Sequence, residues 1–207
     1  MGDGEIYAAR LELVDFLIEA LWDTPREEFV GNLLSGEILT PDGVGEELDT
    51  GFEKLRSFID ANEHREREAV QTELKREYTR VFVGPRPPVT AHESFYREEM
   101  DFLGKGKAEV EASYRAAGWN PPEQYPEEAD YIAVELAFLR YLIERQRTGM
   151  EEAFGYERVF LEEHMSNWIN DCGADITEYA NTEFYEAVGH ILSGVIEFEY
   201  ELAGQMA

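Results

Sequence analysis

The stretch Asp130–Gln146, DYIAVELAFLRYLIERQ, decides the fold class. Ile132, Leu136, Leu139 and Ile143 stand three and four residues apart, the period of one helix face. The same period recurs on both sides. Toward the C-terminal end, Phe184, Val188, Ile191, Val195 and Phe198 form one long apolar stripe, on a helix expected to begin near Asp175. Leu11, Val14, Leu17, Ile18 and Leu21 mark a first helix over about residues 5–22. Further helices are expected around Phe52–Ile59, over Glu63–Val83, and over Tyr156–Cys172 with Phe160, Leu161, His164, Met165 and Trp168 in register. Thr24–Glu27 and Thr90–Glu93 have the spacing of capping boxes, so helices are expected to start there. No stretch shows sustained apolar alternation between hairpin turns, and no fixed repeat appears. The expected fold is all-α: a single-domain bundle of about eight or nine helices over residues 1–207, with Pro-rich loops near 84–92 and 119–126.

Charge is the most extreme property of the chain. Eighteen Lys and Arg stand against 45 Asp and Glu, a formal net charge of -27. Such a charge destabilises a compact state by self-repulsion in dilute salt. Yet 43% of the residues are hydrophobic and fall in helical periods, so the chain is not a disordered acidic tail. A folded protein adapted to high salt fits both facts, because at about 1 M salt the Debye length is roughly 3 Å. An acidic mesophilic protein is the alternative. Nucleic-acid binding is disfavoured, since no basic patch supplies phosphate contacts. The single cysteine, Cys172, gives no disulfide framework. The start MGDGEIYAARLELVDF reads neither as a secretory signal nor as a membrane span, so a cytoplasmic protein without direct membrane insertion is expected.

Motifs of catalysis are scarce. His64, His92, His164 and His190 are preceded three residues earlier by Ala61, Val89, Leu161 and Ala187, so no Glu-x-x-His pair for a di-metal bundle exists. His-Glu-x-x-His, paired cysteines and Gly-x-Ser-x-Gly are absent. The run GKGKAE at 104–109 lacks the spacing of a phosphate loop. No metal site, no cofactor and no catalytic residue is read from these patterns, and Cys172 reads as a small buried residue.

A different signal lies in YTRVFVGPRPPVTAHESFY, Tyr78–Tyr96: an otherwise helical chain stops for a stiff, aromatic, proline-rich loop. Phe82, Gly84, Pro85, Pro87 and Pro88 lead into Glu93, Ser94, Phe95 and Tyr96. Asp130, Tyr131, Glu135, Leu136 and Phe138 follow, then His164, Met165 and Trp168, then Phe184 and Tyr185. In order and approximate spacing these four motifs resemble the TorD/DmsD/NarJ family of cytoplasmic chaperones that mature molybdenum enzymes. The resemblance runs from about residue 78 to 200; the first 75 residues match only as generic helices. One position departs: the family's Asp-His pair is Asp130-Tyr131 here. A tyrosine stays neutral near pH 7, so a proton-dependent role is lost at that position, whereas packing and one hydrogen bond remain open to Tyr131.

The resemblance implies a chaperone and not an enzyme, with a client in place of a substrate. The partner it implies is the catalytic subunit of a molybdopterin oxidoreductase, or that subunit's twin-arginine signal peptide. Client-binding residues would be Phe82, Gly84, Pro85, Pro87, Pro88, Glu93, Ser94, Phe95, Tyr96, Asp130, Tyr131 and Glu135, with Glu98 and Glu99 adding to an acidic rim. Such a receptor needs an apolar groove with acids at one edge. Family members also suggest a homodimer by helix exchange and, in some, guanine nucleotide binding; no nucleotide motif stands in this chain. The residues taken alone leave bland readings open. The loop can be a plain connector, Glu93 a cap, His164 and Trp168 core, and Glu135 the buried partner of an arginine. The competing functions are a small-molecule enzyme on a helical bundle and a purely regulatory or structural interaction protein.

Overall fold

The computed structural model describes residues 3–36, 43–97, 105–121 and 128–205. Among them it is all-α, as the periodicity requires, with ten α-helices and no strand. They are α1 Asp3–Leu21, α2 Glu27–Leu34, α3 Glu46–Asn62, α4 Arg67–Tyr78, α5 Glu93–Tyr96, α6 Lys105–Ala116, α7 Ile132–Arg147, α8 Glu152–Glu163, α9 Ile169–Tyr179 and α10 Glu183–Gln205. A π-helical segment, Thr79–Val83, continues α4, and a 3-10 turn, Met165–Asn167, joins α8 to α9. The chain divides into two compact units. The first is Met1–Ile18, Ala91–Asn170 and Val195–Ala207; the second is Glu19–Thr90 and Asp171–Gly194.

In the first unit α7 is buried on nearly every side, from Ile132 to Gln146. That is why its sequence is apolar between stripe positions as well as on them. It packs against α8, and Phe138 meets the rings of Tyr114, Trp119 and Phe160. Gly149, at φ 86°, ends α7 in a left-handed turn in which Gly149 N–H bonds Gln146 O and Met150 N–H bonds Arg145 O.

In the second unit α2 packs on α3 and α4. Phe184 of α10 meets Phe29 and Phe58, and Tyr185 meets Phe82, so the Phe-Tyr pair of the final helix is core. Backbones approach closely where α10 crosses its neighbours. A β-carbon on Gly189 would lie 2.5 Å from Gly173 O, and one on Gly194 would lie 2.8 Å from Leu48 N. Cys172 is fully buried.

Four expected boundaries move, each for a local reason. The Thr24–Glu27 box does not form: Asp23 Oδ1 accepts from Thr24 N–H, and α2 begins at Glu27 without a side-chain cap. Glu63–Val83 is not one helix. Arg65 N–H turns back to Asn62 O, α4 starts at Arg67, and the stretch from Thr79 widens to a π-turn closed by Gly84 N–H on Thr79 O. Tyr156–Cys172 breaks at His164, whose backbone lies at φ -122°, ψ -87°. Asn167 Nδ2 then covers the carbonyls of Glu162 and His164. The last helix starts at Glu183 and not near Asp175, because Glu77 accepts from Asn181 N–H and Arg80 donates to Tyr179 O, stopping α9.

Candidate functional site

The site residues divide between the two units. Phe82, Gly84, Pro85, Pro87 and Pro88 lie in the second; Glu93, Ser94, Phe95, Tyr96, Asp130, Tyr131 and Glu135 lie in the first. Glu98, Glu99 and residues 122–127 of the second Pro-rich loop lie outside the described residues.

In the second unit the loop is anchored at its base, with Val89 N–H donating to Val81 O at 3.2 Å. Phe82 packs its ring on Tyr78 and Tyr185, so it belongs as much to the core as to the loop. Val83, at 61%, and Pro85 are exposed here.

In the first unit two segments 38 residues apart are tied by backbone. His92 and Tyr131 form an isolated antiparallel bridge; Glu93 N–H donates to Asp130 O, and Ile132 N–H to Ala91 O, both at 3.0 Å. This pairing does what a side-chain cap would do at the start of α7, where no cap bond exists. It also places Ser94 on Asp130. The Ser94 hydroxyl donates to Asp130 Oδ2 at 2.6 Å and Ser94 N–H to the same oxygen at 3.3 Å. Asp130 Oδ1 faces His92 Nδ1 at 3.4 Å. Burial opposes ionisation of Asp130, but the hydrogen bonds from His92 and Ser94 outweigh it and pull its pKa down to about 2. The His92 ring sits 5.2 Å from the Tyr131 ring and beside the Asp130 carboxylate.

Glu93 does not cap α5. It is fully buried, receives Arg97 Nη1 at 2.6 Å, and receives His164 Nδ1 at 3.1 Å. On the other edge of the ring, His164 Nε2 and the Ser113 hydroxyl lie 3.0 Å apart. Arg97 also covers Glu163 O at the end of α8, so the break at His164 and the burial of Glu93 are one arrangement. Behind it, Glu135 is buried with Oε2 accepting from Trp168 Nε1 at 3.2 Å. Burial, and then the Glu93 carboxylate, push Glu135 well above the usual carboxylate range. Its Oε1 has no hydrogen-bond partner among the described residues, so nothing there offsets the cost of burying a charge. Glu93 and Glu135 are thus supports beneath the surface. Phe95 is the surface: 61% exposed, one residue from Ser94, its ring edge-on to Tyr96, which in turn lies on Trp168.

The arrangement offers an ionised acceptor, a half-buried imidazole and an exposed aromatic side by side, over a hydrogen-bonded floor. A model of the family described as nitrate reductase delta subunit matches residues 44–174, more than half of the chain. The chain belongs to that family. Among its curated relatives, the chaperone protein TorD of Vibrio parahaemolyticus is 28% identical over 144 residues, 66% of this chain and 67% of that protein. TorD of Vibrio vulnificus is 27% identical over 146 residues, 67% and 68% of the two chains. TorD of Shewanella pealeana is 22% identical over 138 residues, 62% and 60%. The family match takes in Phe82–Pro88, Glu93–Tyr96, Asp130–Glu135 and His164–Trp168. Family motifs mark Glu93, Asp130 and His164; His92 and Ser113, partners of Asp130 and His164, were missed because they stand 38 and 51 residues away, and Arg97 was missed although it stands only four residues from Glu93.

Proposed function

We propose that this family member is a chaperone for the catalytic subunit of a molybdopterin-dependent oxidoreductase, binding its twin-arginine signal peptide or its apo-form while cofactor is inserted before export or assembly. The observation that carries the reading is exposed Phe95 next in sequence to Ser94, whose hydroxyl bonds the ionised Asp130, itself 1% exposed. A signal peptide presents arginines followed by an apolar stretch; Phe95 fits the apolar stretch, and the Asp130 carboxylate beneath half-buried His92 gives this face its negative charge. Relatives named chaperone protein TorD support the same reading. Among the described residues no helix is long and apolar enough to cross a membrane, in keeping with a chaperone that works in the cytoplasm.

The test is a titration of the signal peptide of a neighbouring oxidoreductase gene product. Asp130→Asn and Phe95→Ala are each expected to weaken binding at least about fivefold, roughly 1 kcal/mol or more, with the helical circular dichroism intact. Phe95 is a better probe than Phe82, whose ring is needed by Tyr78 and Tyr185. Binding by both variants as tight as wild type would refute the site.

One observation favours a second reading, a small-molecule hydrolase. Ser113, His164 and Glu93 are connected hydroxyl to imidazole to carboxylate at 3.0 and 3.1 Å, the order of a nucleophile, base and orienting acid. Against it, His164 is 3% exposed and Arg97 also holds Glu93. Labelling of Ser113 by a fluorophosphonate would support the hydrolase; an unlabelled serine leaves the trio as a structural relay.

A further inference from the structure

His92, Glu128 and Asp130 each offer one ligand atom, and the three atoms lie within 4.8 Å of one another. No spacing rule finds this set, because His92 and Asp130 stand 38 residues apart and meet through the His92–Tyr131 bridge. We propose that these three side chains form a binding site for a divalent first-row transition ion of the zinc type, clipping the entry of α5 to the entry of α7.

The His92–Asp130 separation is the first reason. At 3.4 Å, Nδ1 and Oδ1 make a long hydrogen bond, well beyond the about 2.7–2.9 Å of a charge-assisted pair drawn fully together. Two ligands bound at about 2.1 Å and a tetrahedral angle sit about 3.4 Å apart, so the pair is spaced as one edge of such a site. The second reason is orientation. Ser94 holds Asp130 Oδ2 through its hydroxyl and its N–H, leaving Oδ1 turned to His92. An outer-shell bond on the far oxygen is how ligating carboxylates are commonly fixed. The third is ligand chemistry. One imidazole and two carboxylates bring two negative charges to a dication, and the imidazole favours zinc-like ions over magnesium or calcium. Glu128 is the adjustable member: its side chain is 62% exposed and its present partner is Lys107 Nζ at 3.0 Å. A pair that open to solvent is a weak one and yields to a cation. Three protein ligands leave a coordination position for water on the exposed side.

The experiment is calorimetric titration of the full chain with Zn2+, in moderate salt and excess Mg2+ so that the many other carboxylates are occupied. One equivalent of saturable binding is expected, together with visible absorption when Co2+ replaces Zn2+ and a rise in melting temperature with ion concentration. Glu128→Gln, at an exposed position that folding does not need, and His92→Gln are each expected to lower Zn2+ affinity at least about tenfold, the loss that even outer-shell changes produce. His64→Gln and His190→Gln serve as controls, since both rings also sit beside a glutamate, at 3.0 Å from Glu63 and 2.7 Å from Glu47. The proposal is overturned if no one-equivalent binding survives the Mg2+, if Glu128→Gln and His92→Gln bind as wild type does, or if His190→Gln abolishes binding instead.

Discussion

The Arg10 cluster and the Asp130–Glu93 cluster are both built from carboxylates buried in the first unit, but they are finished differently. Arg10 of α1 is 3% exposed and spends its donors inward. Nε bonds both oxygens of Glu199, Nη2 reaches Glu199 and Glu157 at 2.6 Å, and Nη1 reaches Gln146 Oε1 at 3.0 Å. Gln146 then closes the ring by donating to Glu157 at 2.5 Å. Nothing in that cluster faces water. The other cluster is graded: Glu135, Glu93 and Asp130 are buried, His92 is half-buried, and Glu128 and Phe95 stand in solvent. A saturated buried network fixes structure. One that climbs to the surface leaves its outer members, His92, Glu128 and Phe95, open to something not of this chain. Burial of charge alone therefore does not mark a site; incomplete enclosure does.

Removing the central cation of each cluster should separate them most. Arg10→Ala strands two buried carboxylates and is expected to cost about 3–5 kcal/mol, a fall of roughly 6–20 °C in melting temperature for a chain this long. Arg97→Ala leaves Glu93 with His164 and is expected to cost about 1.5–3 kcal/mol. Equal losses in thermal denaturation would erase the distinction.

A smaller effect comes from pH. Burial, and then Glu199, push the Glu157 carboxyl up to about 7 against the pull of Arg10 and Gln146. Its folded pKa is raised above the unfolded value of 4.5, so its contribution is complete below about 4.5 and is lost as pH rises through about 7. Stability should decline across that window by about 1–3 kcal/mol, and Glu157→Gln should flatten the part due to this group. Glu135 acts in the same direction, so the comparison is between the two curves. Asp130, with its pKa lowered to about 2, adds nothing to the slope there. A Glu157→Gln curve parallel to wild type would show that Glu157 is ionised throughout.

The least effect on either cluster should come from salt, whose main action is on the exposed acids. If the charge of -27 is an adaptation to high salt, melting temperature should rise from dilute buffer to molar KCl. The Arg10→Ala decrement, taken within the dry cluster, should stay nearly constant over the same range. A flat or falling melting temperature would reject the adaptation, and a decrement that shrinks with salt would show that water reaches Arg10.

The sequence was most readable where one face has one job. The stripe Ile132, Leu136, Leu139, Ile143 placed α7 within two residues of its bounds. Reading failed where helical spacing continued through a break: Phe160, Leu161, His164, Met165 and Trp168 keep the period although the backbone leaves the helix at His164. The site was legible only as motif. Thr90-x-x-Glu93 has the form of a capping box, yet Glu93 points inward because His164, 71 residues later, is there to meet it. With 45 acids in the chain, no local pattern distinguishes the few that are buried, such as Glu93, Asp130, Glu135, Glu157 and Glu199, from those in water. That difference is made by long-range pairing.

The bond between Arg10 and Glu199 joins residues 189 positions apart. Closing so long a loop carries an entropic cost that only neighbouring contacts, once made, can offset. The Arg10 cluster is therefore expected to assemble after the folding barrier has been crossed. Its loss should appear in the rate of unfolding, with the rate of folding little changed. In a chevron plot Arg10→Ala should raise the unfolding arm and leave the folding arm in place. The buried charge of Arg10 then acts as a latch, setting how long the folded chain persists and hardly how fast it forms.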